Sequence, residues 1–262
     1  MFFGTVPQGE GRGDTVQATK EHNLWTFDFF RRRHAFVAAQ QAPIQGDEPI
    51  EGHVIWAASV AALARIHARR LGRSIHPDRR RFVDALRELV PGDPLSTISI
   101  PLLAHALKHA KDPHANGLLS HHPITRYQQA AKSSEHWRSE NDRELAPAIA
   151  SLRVAQAPTI QNIFDRHQYA EILYHDYRCC PVHGLDLGPS TMNWEMPSDP
   201  PPCYRNFLYV PDPEAPAQQQ YRTRIMFSLA YLAQLLQTMI AVEEQAAILQ
   251  EWRVPKNATL DE

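Results

Sequence analysis

One arginine and one histidine lie five positions apart in the segment Arg178-Cys-Cys-Pro-Val-His183. A neutral imidazole can accept the proton of a ribose 2′-hydroxyl or protonate a leaving 5′-oxygen, because its pKa lies near neutral pH. The permanently charged guanidinium of Arg178 can stabilise the negative charge that develops on a phosphate in the transition state. Pro181 restricts the backbone of Cys180 and so helps to fix the turn between the two side chains. The pair therefore has the groups needed to cleave RNA without a metal ion.

The spacing of this pair is not informative by itself. A chain with 22 arginines and 14 histidines contains about three or four such pairs by chance, a rough estimate from composition. The sequence holds three, namely Arg178–His183, Arg70–His76 and Arg69–His76. The first differs in context, because it ends an apolar helix and precedes a Gly/Pro-rich loop. The non-catalytic interpretation is that Arg178 and His183 cap a helix end and pair with Asp176 or Asp186.

Positive charge is concentrated in residues 65–87. The segment holds eight arginines against Asp78 and Asp84, a balance of 8 − 2 = +6, whereas the whole chain has a formal net charge of −2. Each guanidinium presents a planar fork of donors that suits phosphate. We predict the following RNA-phosphate contacts: Arg69, Arg70, Arg73 and Arg80. The alternative is that these arginines form the solvated faces of two consecutive amphipathic helices.

A zinc site is an alternative use of the residues around the pair. Cys180 and His183 have ligand-like spacing, and Cys179 and Cys203 could complete a set. Structural zinc sites usually draw their ligands in pairs, however, and Cys203 stands alone among prolines. Small, partly buried thiols are the favoured interpretation.

Two other kinds of site receive little support. His105 and His109 lie four apart on a predicted helix, but no acidic residue completes an H-E-x-x-H frame, so we predict exposed histidines. The sequence has no G-x-S-x-G, G-x-x-x-x-G-K-[ST] or G-x-G-x-x-G motif, which argues against hydrolase, P-loop and dinucleotide-binding folds. We therefore predict no metal and no cofactor.

The elements that must position these residues are predicted to be helices. Hydrophobic periodicity and end signals predict one all-α bundle at 23–253, between a flexible arm at 1–22 and a tail at 254–262. We predict a helix at Leu24–Gln41 with Asn23 as its N-cap, a helix at His53–Leu71 that ends at Gly72, and a third helix that Pro77 and Asp78 open. Three further helices are predicted at Ile100–Ala110, Ile160–Arg178 and Tyr221–Trp252. Residues 125–144 form a polar helix or an excursion from the core. A Pro-rich loop at 184–216 contains two β-prone pieces, Thr191–Met196 and Tyr204–Val210, which could pair as a hairpin.

Composition narrows the class of protein. Hydrophobic residues make up 43% of the chain and charged residues 21%, which is typical of a globular domain. The net charge of −2 excludes a histone-like binder but not a local basic face. No apolar run is long enough to span a membrane, and the start lacks a secretory hydrophobic region. Three cysteines, two of them adjacent, do not make a disulfide framework, so a cytoplasmic location is expected.

Short motifs in two parts of the chain resemble the HEPN superfamily, in which an R-x4-6-H motif follows an apolar helix. In the C-terminal half they are HDYRCCPVHGLDLG, CYRNFLYVPDP and RIMFSLAYLAQLLQTMI. Upstream, VIWAASVAALARIHARRLGRS and RRRFVDAL resemble the first helices of bacterial HEPN-like proteins. The resemblance covers residues 53–110 and 160–250 and leaves 1–52 and 111–159 unmatched.

The resemblance implies a metal-independent endoribonuclease of a toxin–antitoxin or phage-defence system, with an antitoxin protein as a further partner. Arg178 and His183 would be the catalytic pair, in a homodimer whose two protomers contribute to one cleft. Active members usually carry a polar residue after the arginine, and this chain has Cys179. Some members bind nucleotides or partners without cutting. Three alternatives stay open: the ribonuclease, a non-catalytic nucleotide- or partner-binding module, and a zinc-stabilised structural protein.

Overall fold

The chain folds as a helical bundle that carries one small sheet. The computed structural model describes residues 10–40, 50–74, 77–92, 95–133, 136–180, 187–188, 191, 202–209 and 220–255. Within these ranges the fold is all-α apart from two paired strands, as the sequence predicts. None of the helices in these ranges is long and apolar enough to cross a bilayer.

Ten α-helices and two strands make up the described part of the chain. The helices are α1 (Glu10–Ala39), α2 (Ile50–Arg70), α3 (Asp78–Leu89), α4 (Ile100–His109), α5 (Pro113–Gly117), α6 (His122–Lys132), α7 (Ser139–Val154), α8 (Pro158–Arg166), α9 (Tyr169–Ile172) and α10 (Leu229–Leu249). A 3-10 turn at Leu118–Ser120 precedes α6, and a π-helical segment at Leu173–Cys179 continues α9. The strands are β1 (Cys203–Tyr209) and β2 (Gln220–Met226).

The core lies where α1, α2, α3 and α10 meet, with α2 packed against the other three. Phe82 of α3 touches the ring of Trp56 on α2 edge-on at 6.1 Å and the ring of Tyr174 on the π-helical segment at 5.5 Å. Trp56 and Phe82 are fully buried, and burying side chains of this size is the main favourable contribution to folding. This shared core holds α2, α3 and the segment that carries Arg178 in one fixed arrangement.

A buried carboxylate, Asp142 of α7, joins four parts of the chain away from that core. It accepts hydrogen bonds from the indole of Trp137 at 2.9 Å, the hydroxyl of Tyr169 at 2.7 Å, the backbone N–H of Ile100 at 3.2 Å and the hydroxyl of Tyr204. Burial raises the pKa of Asp142 to about 6, although these hydrogen bonds oppose the rise. At neutral pH the ionised carboxylate is thus the common acceptor of α4, α9, β1 and Trp137.

The predicted C-terminal end of α2 and the predicted start of α3 are confirmed, whereas α2 begins at Ile50 and not at the predicted His53. Gly72 adopts φ 64°, the left-handed conformation that glycine tolerates best. The N–H of Gly72 donates to the carbonyl of Arg69 at 3.0 Å, and the N–H of Arg73 donates to the carbonyl of Ala68 at 2.8 Å. This is the Schellman arrangement that satisfies the last carbonyls of a helix. Pro77 precedes α3 as its N-cap.

The flexible arm predicted for 1–22 is wrong for residues 10–22, because α1 already begins at Glu10. Asn23 is not a cap but lies buried inside α1. Its amide donates to the carbonyl of Trp252 at 3.0 Å and accepts from the N–H of Val254 at 2.8 Å. Val254, predicted to start the tail, is therefore docked. The early turns of α1 bury the small polar Thr19, which leaves no apolar periodicity to detect.

A hairpin precedes the last helix, but its first strand pairs with a segment that follows it and not with the predicted Thr191–Met196. Cys203–Tyr209 pairs antiparallel with Gln220–Met226, so that Tyr204 lies opposite Ile225. Thr191 forms a single parallel bridge with Ile225, and residues 192–200 lie outside the described part of the chain. The last helix was predicted to start at Tyr221 but starts at Leu229, where the Ser228 hydroxyl accepts from the N–H of Tyr231.

The predicted helix Ile160–Arg178 is interrupted at His167–Gln168. The N–H of Ser99 donates to the carbonyl of His167 at 2.9 Å, and the N–H of Tyr169 donates to the carbonyl of Thr97 at 3.0 Å. These strand-like hydrogen bonds satisfy backbone groups that a continuous helix would have paired internally. The interruption sets the direction of α9 and of the π-helical segment that follows.

Replacing Asp142 with Ala is expected to lower the free energy of unfolding by about 3–5 kcal/mol, because buried donors lose their common acceptor. Urea denaturation followed by circular dichroism measures this change. The control is Asp165→Ala, which removes a half-exposed ion pair with Arg153 and a 3.4 Å hydrogen bond from Gln168 and should cost about 1 kcal/mol. Equal losses in the two variants would contradict the role given to Asp142.

Candidate functional site

The predicted catalytic arginine lies on an unusual piece of backbone. Arg178 is the sixth residue of the π-helical segment Leu173–Cys179, and π-helical turns are rare and frequent at functional sites. Its side chain is 24% exposed, its Nη2 donates to Oδ2 of Asp78 at 2.9 Å, and its guanidinium lies 5.7 Å from the ring centre of Tyr174. Arg178 is thus half-buried and bound to a carboxylate.

Asp78 is the residue around which this site is organised. It is the first residue of α3, where a negative charge interacts favourably with the helix dipole. Besides Arg178, its carboxylate binds Arg81 and accepts from the hydroxyl of Tyr174 at 3.3 Å. One carboxylate thereby joins the N-terminus of α3 to the π-helical segment.

Several arginines interact electrostatically near Asp78. Burial, followed by the charge of Arg81 and then those of Arg69 and Arg178, lowers the pKa of Arg65, and Asp78 opposes this. We call these five residues, Arg65, Arg69, Asp78, Arg81 and Arg178, the arginine cluster. Positive charges that act on one another in this way favour the binding of an anion between them.

Cys179, the residue after Arg178, lies beside Tyr174. Burial, followed by Cys179, raises the pKa of Tyr174 to about 12. The phenol therefore stays protonated at neutral pH and can donate to Asp78. The three cysteines, Cys179, Cys180 and Cys203, are free thiols.

A groove between α2 and α3 adjoins the arginine cluster. Its volume is about 570 Å³, within the range of small-molecule sites. The charged residues that line it are His67, Arg73, Arg80, Arg81, Asp84 and Glu88. Arg81, whose side chain is bound to Asp78, belongs both to the groove and to the arginine cluster, so the two adjoin each other.

The four predicted phosphate contacts divide into three groups. Arg80 is 81% exposed and lies 3.6 Å from Asp84, and Arg73 pairs with Glu88 at 2.7 Å on the exposed side of the groove. Exposed ion pairs of this kind contribute little free energy, so a phosphate can replace the carboxylate. Arg69 is half-buried in the arginine cluster.

Arg70 has a different position from the other three. Its side chain is 5% exposed, and its Nε and Nη2 donate to the two oxygens of the fully buried Glu243 of α10 at 2.7 and 2.9 Å. Breaking a buried pair of this kind is costly because it leaves an uncompensated charge. The structure thus ties Arg70 to α10 and not to the groove.

His67 extends the same buried network to the groove. Its Nδ1 lies 2.8 Å from Glu243 and its Nε2 lies 2.9 Å from Glu88. Burial alone would lower the pKa of His67, but the hydrogen bonds to Glu243 and Glu88 outweigh burial and raise it. Burial would raise the pKa of Glu88 and of Glu243. Hydrogen bonds from Arg73 and His67 lower the pKa of Glu88 instead, and hydrogen bonds from His67 and Arg70 lower that of Glu243. His67 and its partner Glu88 both line the groove.

His183, the predicted partner of Arg178, lies outside the described residues, so the pairing of the two stays a prediction. Five residues after His183 in the sequence, the N–H of Gly188 donates to the carbonyl of Asp176 at 3.0 Å. A Cβ at Gly188 would lie 2.3 Å from Oδ1 of Asp176, so only glycine fits at this contact. The chain thus returns to the end of the π-helical segment five residues after His183.

The candidate metal ligands do not form a cluster within the described ranges. No group of three His, Cys, Asp or Glu residues there is placed to hold a metal ion, and His183 is not among those residues. The rings of His105 and His109 lie 4.5 Å apart on the exposed end of α4, as the sequence predicts for solvent-facing histidines.

Sequence reasoning identified the arginines but not their partners. Asp78 was predicted to open a helix and counted as one negative charge, but not as the partner of Arg178 and Arg81, and Glu243 was not singled out because it follows His67 by 176 residues. Comparisons with protein-family models, with curated proteins and with solved structures found no match. The functional argument for this chain therefore rests on its own residues.

The wild type should lose stability relative to His67→Gln as the pH rises. A raised pKa means that the charge of His67 contributes fully below its unfolded-state value of 6.5 and that this contribution is lost as the pH rises through the folded-state value. The difference in free energy of unfolding between the two proteins should shrink as the pH rises above 6.5. Urea titrations at several pH values measure it.

The matched control for this pH series is His114→Gln, at an exposed histidine of α5. Its difference from wild type should stay constant over the same range. A constant difference for His67→Gln as well would contradict an imidazolium at position 67.

Proposed function

We propose that this protein binds RNA phosphates in the arginine cluster and the α2–α3 groove and cleaves the RNA as a metal-independent ribonuclease of HEPN type. The observation that supports this most directly is the group of arginines near Asp78, which includes the motif residue Arg178. Arg69 adds a guanidinium group to the arginine cluster, and Arg73 and Arg80 add theirs to the adjoining groove. A reducing, cytoplasmic location agrees with three free thiols.

The chemistry is a transesterification in which the ribose 2′-oxygen attacks phosphorus and the bond to the 5′-oxygen breaks. A neutral His183 takes the 2′-hydroxyl proton, and a protonated His183 of a second copy gives a proton to the leaving 5′-oxygen. Arg178 donates to the phosphate oxygens as their charge increases. The products are a 2′,3′-cyclic phosphate and a 5′-hydroxyl.

Asp78 has a defined part in this scheme. In the absence of RNA it holds Arg178 at the end of the π-helical segment, and a phosphate has to compete for the same guanidinium. Arg81 and Tyr174 also bind Asp78, so the carboxylate keeps partners when Arg178 turns to a phosphate. Asp78 is thus a positioning residue.

A second candidate is a module that binds a nucleotide or a partner protein, such as an antitoxin, without cutting. The ion pair between Arg178 and Asp78 favours it, because an arginine that is permanently bound to a carboxylate is a structural link and not a catalyst. Cys179 after the arginine favours it as well. The groove of about 570 Å³ has the volume of a small-molecule site, and a nucleotide phosphate would meet Arg73 and Arg80 there.

Purified wild-type protein should cleave RNA in EDTA and leave 2′,3′-cyclic phosphate ends. His183→Ala is expected to slow cleavage by about 10²–10⁴-fold, and Arg178→Ala by about 10²–10³-fold. Gel analysis with end-group chemistry measures both. The control is Arg126→Ala, which removes an exposed ion pair on α6 and should cleave at the wild-type rate.

Two outcomes would decide for the second candidate. Either the wild type cuts none of a varied set of RNAs, or His183→Ala and Arg178→Ala cut as fast as wild type. Circular dichroism must show that both variants are folded, and Arg178→Lys, which keeps the charge, guards against a loss of activity that comes from the loss of the contact with Asp78.

Replacing Arg73 and Arg80 together with Gln should weaken RNA binding and its dependence on salt. Each lost phosphate contact on a single strand reduces the slope of log K against log salt by about 0.7, so two contacts reduce it by about 1.4. Fluorescence anisotropy at several salt concentrations measures the slope. Arg70→Gln is the contrasting variant, since it should lower the free energy of unfolding by about 3–5 kcal/mol. An unchanged slope in the double variant would exclude the groove as the binding surface.

A further inference from the structure

Large aromatic side chains lie on the exposed face of α1. Trp25 is 65% exposed and Phe36 is 44% exposed, although side chains of this size are usually buried. Phe29 lies between them, four residues from Trp25 and seven from Phe36, spacings that place all three on one side of a helix. The opposite side of α1 buries Phe27 and Phe30 in the core. The exposed rings are therefore not required for the fold.

Arginines are interleaved with these rings. The rings of Trp25 and Phe29 are nearly parallel, with an angle of 20° and a centre distance of 6.3 Å. The guanidinium of Arg33 lies over the ring of Phe29 at 4.4 Å, and Arg32 is exposed. We call Trp25, Phe29, Arg32, Arg33 and Phe36 the α1 stripe. It extends over about 16 Å of helix.

The α1 stripe contains no carboxylate. The neighbouring Asp28 is engaged by Arg31, whose Nη1 donates to it at 2.6 Å, and Arg31 also binds Glu244 of α10. The positive charges of Arg32 and Arg33 therefore belong to an open surface with flat apolar rings. Such a surface needs a partner that brings both negative charge and flat apolar faces.

From these observations we infer that the α1 stripe stacks the unpaired bases of single-stranded RNA. The inference rests on the proposed RNA-binding function and adds the substrate class, RNA whose bases are not paired. Every base has a flat face, and stacking on aromatic side chains is the usual way in which proteins hold single strands. Arg32 and Arg33 would hold the phosphates between the stacked bases.

A second copy of the chain fits this surface less well. Two α1 stripes placed face to face would bring four guanidinium groups together, which disfavours association. A base-paired duplex fits poorly as well, because its bases are stacked on one another and their faces are closed to side chains.

Binding of a fluorescein-labelled oligo(A) of about 12 nucleotides, followed by anisotropy, tests the inference. Trp25→Leu and Phe36→Leu keep an apolar side chain but remove the flat ring, and each should weaken binding roughly 5- to 100-fold. Trp25→Phe keeps a ring and should retain most of the affinity. Leu249→Ala is the matched control, because Leu249 is an equally exposed apolar residue on α10, 67% exposed.

Three further measurements separate the outcomes. A blunt duplex of the same length should bind Trp25→Leu as well as it binds wild type. Cleavage of the dinucleotide UpA, which is too short to need the α1 stripe, should be unchanged in Trp25→Leu and lost in Arg178→Ala. If no RNA is cleaved while oligo(A) binding still depends on Trp25, the catalytic proposal fails, but the proposal that the α1 stripe binds unpaired bases is supported.

The inference is overturned if Trp25→Leu binds oligo(A) with wild-type affinity, or if Trp25→Leu and Trp25→Phe lose affinity equally. Sedimentation then identifies the alternative occupant. A dimer that dissociates in Trp25→Leu, with unchanged oligo(A) affinity, would assign the α1 stripe to a second copy of the chain.

Discussion

The buried carboxylate of Glu243 determines how the arginines of α2 are divided between the interior and the surface. A charge without solvent must be compensated locally, since an unpaired buried carboxylate would cost several kcal/mol. Glu243 meets that requirement with both donor nitrogens of Arg70 and with His67. The chain leaves α2 through Gly72, whose φ is 64°, and Arg73 then pairs with Glu88 on the exposed side of the groove. His67, which binds both Glu243 and Glu88, connects the buried ion pair to the groove.

Burial also determines which ion pairs can exchange their partners. The pair of Arg70 and Glu243 is enclosed, so both members are committed to the fold. The pairs of Arg73 with Glu88 and of Arg80 with Asp84 lie in solvent, where water and ions screen the attraction and make each pair weak. The pair of Arg178 and Asp78 has an intermediate exposure. The proposed ribonuclease requires that Arg178 can leave Asp78 for a phosphate, and the non-catalytic module does not.

The sequence predicted the fold class and most of the helices, because amphipathic periodicity and end signals are local. Phe82, Leu86 and Leu89 are buried as their spacing in α3 predicts, and Gly72 ends α2 as its freedom at positive φ predicts. The early part of α1 escaped prediction because tertiary hydrogen bonds of Asn23, and not apolar spacing, hold it. The partner strand of β1 was missed because its residues run directly into an apolar helix.

The sequence predicted the arginines of the candidate site but not which carboxylates bind them. An arginine run is visible in the sequence, whereas some of the carboxylates that neutralise it come from helices much further along the chain: Glu243 from α10, and Glu171 from α9, which binds Arg79 at 2.8 Å. A charge sum over residues 65–87 gives +6 and counts neither of them. In the arginine cluster, Asp78 binds both Arg81 and Arg178, and the charges of Arg81, Arg69 and Arg178 act on Arg65. A chain with a net charge of −2 can attract an anion there, because an electrostatic field near a surface depends on where the unbalanced charges lie and not on their total.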